Sequence, residues 1–257
     1  MGEALLSGLL AAGWAADEVS GAVRREARQA DLTAHGIRCL LDPVAAIGGA
    51  QVVVVAVKPR DVPGLLSQVG PALVPDQVVV SLAAGVPISL YELGLPGVPV
   101  VRAMPNTPAF VREGVTALAA GNQVTEIHLE RVRAVLTAVG DTEVMDESLI
   151  DAVTAVSGTG PAYVFLLAEA LTEAAIREGL PRDIAERFVH QTVRGAGHLL
   201  TETPHSPAEL RAQVTSPGGT TAAAVHVLEE RGFRAIVEDA VRAAAHRSRQ
   251  LGAGGET

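Results

Sequence analysis

Lysine and cysteine each occur once in this chain, at Lys58 and Cys39. A single cysteine excludes a disulfide framework and a cysteine-ligated metal site, and it fits a reducing compartment. No basic residue precedes Arg24, so the apolar opening MGEALLSGLLAAGW lacks the positive segment that starts a secretory signal. Leu6 stands where N-myristoylation needs Ser or Thr. No uninterrupted apolar run reaches the roughly 18 residues of a spanning helix, so the chain is expected to be soluble and cytoplasmic. The histidines show no metal-ligand spacing, and neither a P-loop nor a G-x-S-x-G elbow is present. A formal net charge of −9 argues against nucleic acid or an anionic membrane as partner.

What is present is a globular composition, 48% hydrophobic and 19% charged, long enough at 257 residues for one large domain or two modest ones. The first part alternates β-branched runs with helical stretches. VSGAV (19–23), QVVVVAV (51–57), QVVVSLA (77–83) and VPVVRAM (98–104) read as strands, and DTEVMDE (141–147) as a last short one. A polar helix is predicted up to about His35, and others over DVPGLLSQVGPAL and PISLYELG. A further helix starts at Thr125, carries Leu129, Val132, Val135, Leu136 and Val139 on one face, and stops at Gly140. Strands separated by helices predict a parallel α/β sheet. After position 148 only Ala- and Leu-rich helical stretches follow. The expectation is a dinucleotide-binding domain over 1–147 and an all-α domain over 148–257, with a disordered tail GAGGET.

The opening helix reads as the second half of a dinucleotide fingerprint. In G-x-G-x-x-G the third glycine packs the helix on the sheet, and Gly2 fits that place, with Gly8 allowing close approach further along, although any amphipathic helix can start this way. The strand VSGAV runs into Arg24 and Arg25 where an NAD enzyme usually carries an acid, which suits a 2′-phosphate. Two solvated surface arginines would look the same. Lys58, the small residues Ala83 and Ala84, and the rigid MPNTPA turn with Asn106 stand at strand C-termini, where open α/β sheets bind ligands; an ordinary loop lysine, small residues chosen for helix–sheet packing and a generic turn would read the same way. TSPGGTT (215–221) puts a Gly-Gly nest and hydroxyls at the start of a helix, a carboxylate or phosphate site built from backbone N–H groups. Helix capping by threonine accounts for only part of that motif.

AMPNTPA, DAVTAVSGTGPAYVFLLAEAL, QTVRGA and SPGGTTAAAVHVLEERGFR, in this order and spacing, resemble the pyrroline-5-carboxylate reductases over essentially the whole chain. The resemblance implies an N-terminally truncated Rossmann-type domain followed by an all-α domain that interlocks with a second subunit, in dimers or higher assemblies such as decamers. It implies hydride transfer from NADPH, with NADH as the alternative donor, to the C=N carbon of 1-pyrroline-5-carboxylate, giving L-proline. It assigns Ser216, Gly219 and Thr220 to the substrate carboxylate, Thr221 to the ring nitrogen as the catalytic residue, and Glu147 to the substrate's vicinity. Gly2, Arg24, Arg25, Lys58, Ala83, Ala84 and Asn106 fall on the cofactor side. The Asn that the family usually carries near Asp42-Pro43 is absent.

The family's fingerprint begins with a strand and two further glycines, and this sequence starts at the internal Met of that motif. A start codon assigned one strand too late is the simplest account. In a doubly wound sheet that strand is central, flanked by the second and fourth, so both neighbours would be left with an unpaired edge. A truncated, non-catalytic paralogue that dimerises without holding NADPH is the competing expectation. A β-hydroxyacid dehydrogenase would need a lysine in the helical domain, and none follows Lys58.

Overall fold

The computed structural model describes residues 1–252, so the expectation for the tail from 253 onward lies outside the described residues. The chain divides into two compact units, Met1–Gly158 with the segment from Ala244 onward, and Thr159–Ala243.

The first unit contains α1 (Gly2–Ala11), β1 (Ser20–Ala22), α2 (Glu26–Ala34), β2 (Arg38–Leu40), α3 (Pro43–Ile47), β3 (Val52–Val55) and α4 (Val62–Val69). It continues with β4 (Val78–Ser81), α5 (Ile88–Gly94), β5 (Val100–Met104), β6 (Gly114–Ala120), α6 (Glu126–Leu136), β7 (Gly140–Val144) and α7 (Ile150–Val153). A π-helical turn, Thr154–Gly158, follows α7.

All four residues of β4 are buried, because β3 and β5 flank it and helices cover both faces. On one face Val55 and Val79 pack with Val62 and Leu66 of α4 and Tyr91 of α5. On the other, Val78, Val80 and Leu118 pack with Leu5 and Leu9 of α1 and with Val132 and Leu136 of α6. The apolar spacing of α1 and α6 therefore buries one helical stripe each against the sheet.

Strands β3, β4 and β5 are parallel. β6, in contrast, runs antiparallel to β5, pairing Met104 with Ala117, which departs from the all-parallel expectation. The connection between them is the proline-rich turn with its short 3₁₀ stretch Thr107–Val111, too short for the crossover a parallel neighbour requires. β7 then pairs parallel to β6. Gly140 sits at φ +141°, and a Cβ there would overlap the Gly114 carbonyl of the paired strand, so this crossing needs glycine at 140.

The strands form two sheets. β1 pairs in parallel with β2, and β3 to β7 make the other five-stranded sheet. Among the described residues, β1, β2, β3 and β7 each pair on one side only.

The second unit is helical throughout its described residues: α8 (Gly160–Arg177), α9 (Arg182–Glu202), α10 (Pro207–Gln213), α11 (Thr220–Glu230) and the greater part of α12 (Phe233–Gly252). α8 gives way to α9 at Gly179, which takes the left-handed φ of +100° that ends helices. Arg182 of α9 bonds Glu173 of α8 at 2.9 Å. In this unit only Thr172, Ala185 and Val189 are buried, whereas Val164, Phe165, Leu166, Leu167 and Leu171 of α8 are exposed. An apolar surface of that extent marks an interaction face. The helical run Glu147–Arg177 also meets the length and mean hydropathy (1.3) of a membrane-crossing helix, although Ser157, Thr159 and Pro161 interrupt its apolar stretch.

Candidate active site

The C-terminal ends of β3, β4 and β5 lie along one edge of the sheet because the strands are parallel. Lys58, the pair Ala83 and Ala84, and Asn106 follow those three ends, so the fold brings them to a common edge. Lys58 is exposed, just ahead of the 3₁₀ turn Pro59–Asp61. Ala83 is buried and Ala84 exposed. They belong to a tight turn closed by the Val86 N–H on the Ala83 carbonyl at 3.4 Å, with Gly85 at φ +76°. The positive φ at the third position of the turn is what glycine supplies without strain. A Cβ on Gly85 would lie 3.4 Å from that of Leu251, so the last turn of α12 packs against this loop. Ser248 in the same helix end donates to Asp151 at 2.6 Å.

Asn106 is buried and hydrogen-bonded through both amide atoms within the first unit. Its Oδ1 accepts the Val115 N–H at 3.0 Å, and its Nδ2 donates to Ser157 Oγ at 3.2 Å. The side chain thus ties the MPNTPA turn to β6 and to the π-helical turn. Ser157 was not singled out by residue type, but it lies in the SGTGPAY motif and could have been found there.

At the start of α1 a Cβ on Gly2 would stand 3.0 Å from that of Ala56, just past β3. Glycine at position 2 therefore lets the helix seat closely on the strand end, as the third fingerprint glycine does. Gly8 is equally confined, since a Cβ there would meet Val139 and stand 3.1 Å from the Ala138 carbonyl. Arg24 and Arg25 follow β1 and are both exposed. Arg24 pairs with Asp61 at 3.2 Å, which joins the end of β1 to the turn after Lys58. Small residues at a strand edge, a glycine pressed on a strand and a basic pair in place of an acid form a donor set that fits a phosphorylated dinucleotide.

Glu147 lies at the end of the first unit's sheet region. Its Oε1 accepts both the Ile88 N–H at 2.9 Å and Arg102 Nη1 at 3.0 Å. One carboxylate oxygen therefore caps α5 and neutralises an arginine that is only 10% exposed. Arg102 was not anticipated, because an arginine within VPVVRAM reads as an interruption of an apolar strand.

In the second unit, Ser216 to Gly219 form a turn in which the Gly219 N–H donates to the Ser216 carbonyl at 3.1 Å. Pro217 and Gly218, the latter at φ +70°, are the residues a type II turn selects. A Cβ on Gly219 would run into Ser216 Oγ and stand 3.2 Å from the Ser216 carbonyl. Gly219 itself is the N-cap of α11, and no side chain caps that helix. Thr220 and Thr221 are its first two residues, so neither hydroxyl is used for capping. Among the described residues the hydroxyls of Ser216, Thr220 and Thr221 form no hydrogen bond. The turn presents three hydroxyls and the free N–H groups of a helix start on an accessible surface, where the helix dipole favours an anion.

Comparisons with known proteins place the chain in a family. Residues 147–251 match the family described as pyrroline-5-carboxylate reductase dimerisation, and residues 1–85 match the NADP oxidoreductase, coenzyme F420-dependent family. The pyrroline-5-carboxylate reductase of Pseudomonas aeruginosa is 42% identical over 98% of this chain and 93% of its own length. A solved pyrroline-5-carboxylate reductase from Coxiella burnetii superposes with a TM-score of 0.93 at 36% identity, covering 97% of this chain and 94% of the other. The Plasmodium falciparum pyrroline carboxylate reductase, solved with NADP bound, gives 0.87 at 27% identity over 98% and 94%. With that likeness along nearly its whole length, and with the dimerisation module in its second half, the chain belongs to the pyrroline-5-carboxylate reductase family.

Proposed function

We propose that this chain is an oxidoreductase that reduces the cyclic imine 1-pyrroline-5-carboxylate to L-proline with NADPH, NADH being the alternative donor, as the last step of proline biosynthesis. The observation that carries the reading is the Ser216–Thr221 turn, whose hydroxyls and helix-start N–H groups are not consumed by the fold, in a chain alike to these reductases from end to end.

When bound, a reduced nicotinamide would supply the hydride that the C=N carbon takes up. The protein's part is placement, because a protonated imine is already electrophilic and gains most from orientation. Ser216, Gly219 and Thr220 hold the substrate carboxylate through hydroxyl and backbone donors, with the dipole of α11 adding attraction. Thr221 bonds the ring nitrogen and fixes which face of the ring is presented. Glu147 belongs to this set through the family pattern. Lys58, Ala83, Ala84 and Asn106 line the cofactor side, Gly2 admits the pyrophosphate end, and Arg24 and Arg25 receive the 2′-phosphate. The proposed domains are 1–147 and 148–257, although the compact units divide after Gly158 and return the segment from Ala244 to the first. The second carries the subunit interface of a homodimer, or of a higher assembly such as a decamer, and the enzyme works in the cytoplasm.

The test is direct. The purified protein is mixed with the imine and NADPH, and NADPH oxidation is followed together with proline formed. Equal amounts of the two are expected. A protein that assembles as a dimer yet neither binds NADPH nor forms proline would be the non-catalytic paralogue instead.

A further inference from the structure

The turn at Ala83 is tied to the interior by a short chain of buried hydrogen bonds. The Ala83 N–H donates to Ser81 Oγ at 3.3 Å, and the Ser81 hydroxyl donates in turn to the Tyr91 hydroxyl at 2.6 Å. Ser81 and Tyr91 are both entirely buried. Tyr91 sits on α5, and the first residue of that helix is held by Glu147, which Arg102 holds from β5. The place of Tyr91's hydroxyl is therefore set from both sides, by burial of the ring in the core cluster that holds Val79 and Leu66 and by the anchored helix start. Burial pushes the phenol's pKa up, with the Ser81 hydrogen bond and the Arg102 charge working against that rise, so the ring stays neutral at physiological pH.

None of this is needed to close the sheet. Ser81 is the last residue of β4, and its backbone is already paired with Val55 and Arg102. A valine would satisfy the strand as Val78, Val79 and Val80 do. A hydroxyl at this point instead fixes the amide two residues on, at the start of the Ala83–Val86 turn.

We propose that Tyr91 and Ser81 are positioning residues for the reduction, holding the Ala83–Ala84 turn at the depth at which it receives the nicotinamide. The proposal rests on the assignment of Ala83 and Ala84 to the cofactor side. Tyr91→Phe keeps the ring and its packing but takes away the acceptor of the Ser81 proton. Ser81 is then free to turn away from the Ala83 amide, and the wall loses its fixed position. Hydride transfer responds steeply to such displacements, since small misplacements cost up to about a hundredfold in rate.

The experiment combines exchange, binding and turnover. In the cofactor-free protein, amide hydrogen exchange at Ala83 is expected to speed up about tenfold in Tyr91→Phe and in Ser81→Ala, while Val79 and Val80 keep their protection. With NADPH and the imine, kcat of Tyr91→Phe is expected to fall about tenfold with the imine KM unchanged, and the deuterium isotope effect from labelled NADPH to rise. The double variant should be no worse than Ser81→Ala alone, because both substitutions break one relay. Unchanged Ala83 exchange in Tyr91→Phe, or a kcat that falls only with the folded fraction, would overturn the proposal. Ala84→Leu separates the two levels: with Ala84 on the cofactor side, NADPH affinity read from nicotinamide fluorescence falls about tenfold or more. If Ala84→Leu binds NADPH normally, the cofactor assignment fails and the proposal with it. If Ala84→Leu binds weakly while Tyr91→Phe behaves as wild type, only the relay is wrong.

Discussion

Arg102 and Glu147 meet at 3.0 Å, and the same carboxylate oxygen takes the Ile88 N–H at 2.9 Å. The arginine is almost wholly buried and the glutamate one-third exposed, so removing the acid leaves the more costly partner uncompensated. Glu147→Ala is expected to lower unfolding stability by about 1–3 kcal/mol, after allowance for solvent screening on the glutamate side. Glu147→Gln should cost less, because its amide oxygen still accepts from Ile88. Urea unfolding of the two variants checks the order. Equal losses would mean that the ion pair, and not the helix-cap bond, carries the contribution.

Arg24 and Arg25 make a prediction about cofactor choice. Arg24 is 70% exposed, and its bond to Asp61 is a surface pair of small worth, so the guanidinium can turn to a 2′-phosphate at little cost. Charge-assisted bonds of this kind contribute about 1.5–3 kcal/mol each. Arg24→Ala with Arg25→Ala should therefore weaken NADPH binding by at least about tenfold and leave NADH binding unaltered. Titration of both cofactors measures the ratio. An unchanged ratio would make the two arginines ordinary solvated side chains.

The α/β order of the first unit was legible because β3 to β5 are short valine-rich runs punctuated by Gly and Pro. β2 and β6 were not. Arg38–Leu40 is too short to show a period, and GVTALAA is made of small residues whose pattern suits a helix as well as a strand. Its burial between β5 and β7, not its own propensity, makes β6 a strand. The same limit applies at the site. Ser216, Gly219, Thr220 and Thr221 stand out because a turn with a proline and two glycines announces itself locally. Arg102, Ser81 and Tyr91 act through partners 10 to 45 residues away, and no local spacing signals such a bond.

The exposed apolar side chains of α8 bear on how two subunits meet. Val164, Phe165, Leu166 and Leu167 are each more than 40% exposed, in a unit that buries few side chains of its own. Burying one phenyl ring contributes about 1.5–3 kcal/mol, and a carboxylate in that place would have to be desolvated without a partner. Phe165→Asp should shift the protein from dimer toward monomer in sedimentation at micromolar concentration, with far-UV circular dichroism retained. A dimer mass that does not respond would place the subunit interface on another face.

Thr221 tests the chemistry itself. It is the second residue of α11, half-buried, with a hydroxyl that no helix cap uses. Replacing it by alanine favours the helix slightly and removes no hydrogen bond within the protein, so stability should hold. If the hydroxyl bonds the ring nitrogen, the lost interaction is one that orients the imine as hydride arrives. Thr221→Ala should then lower kcat by about 100- to 1,000-fold, in the range found when one oriented donor is lost. NADPH affinity should stay as it was, because Thr221 lies on the substrate side. Thr221→Ser retains the hydroxyl and is expected to recover most of the rate. Steady-state kinetics of both variants, with NADPH titrated separately, decide the matter: an alanine variant at full rate would remove Thr221 from this role. A serine variant as slow as the alanine would shift the contribution from the hydroxyl to the methyl group that packs beside it.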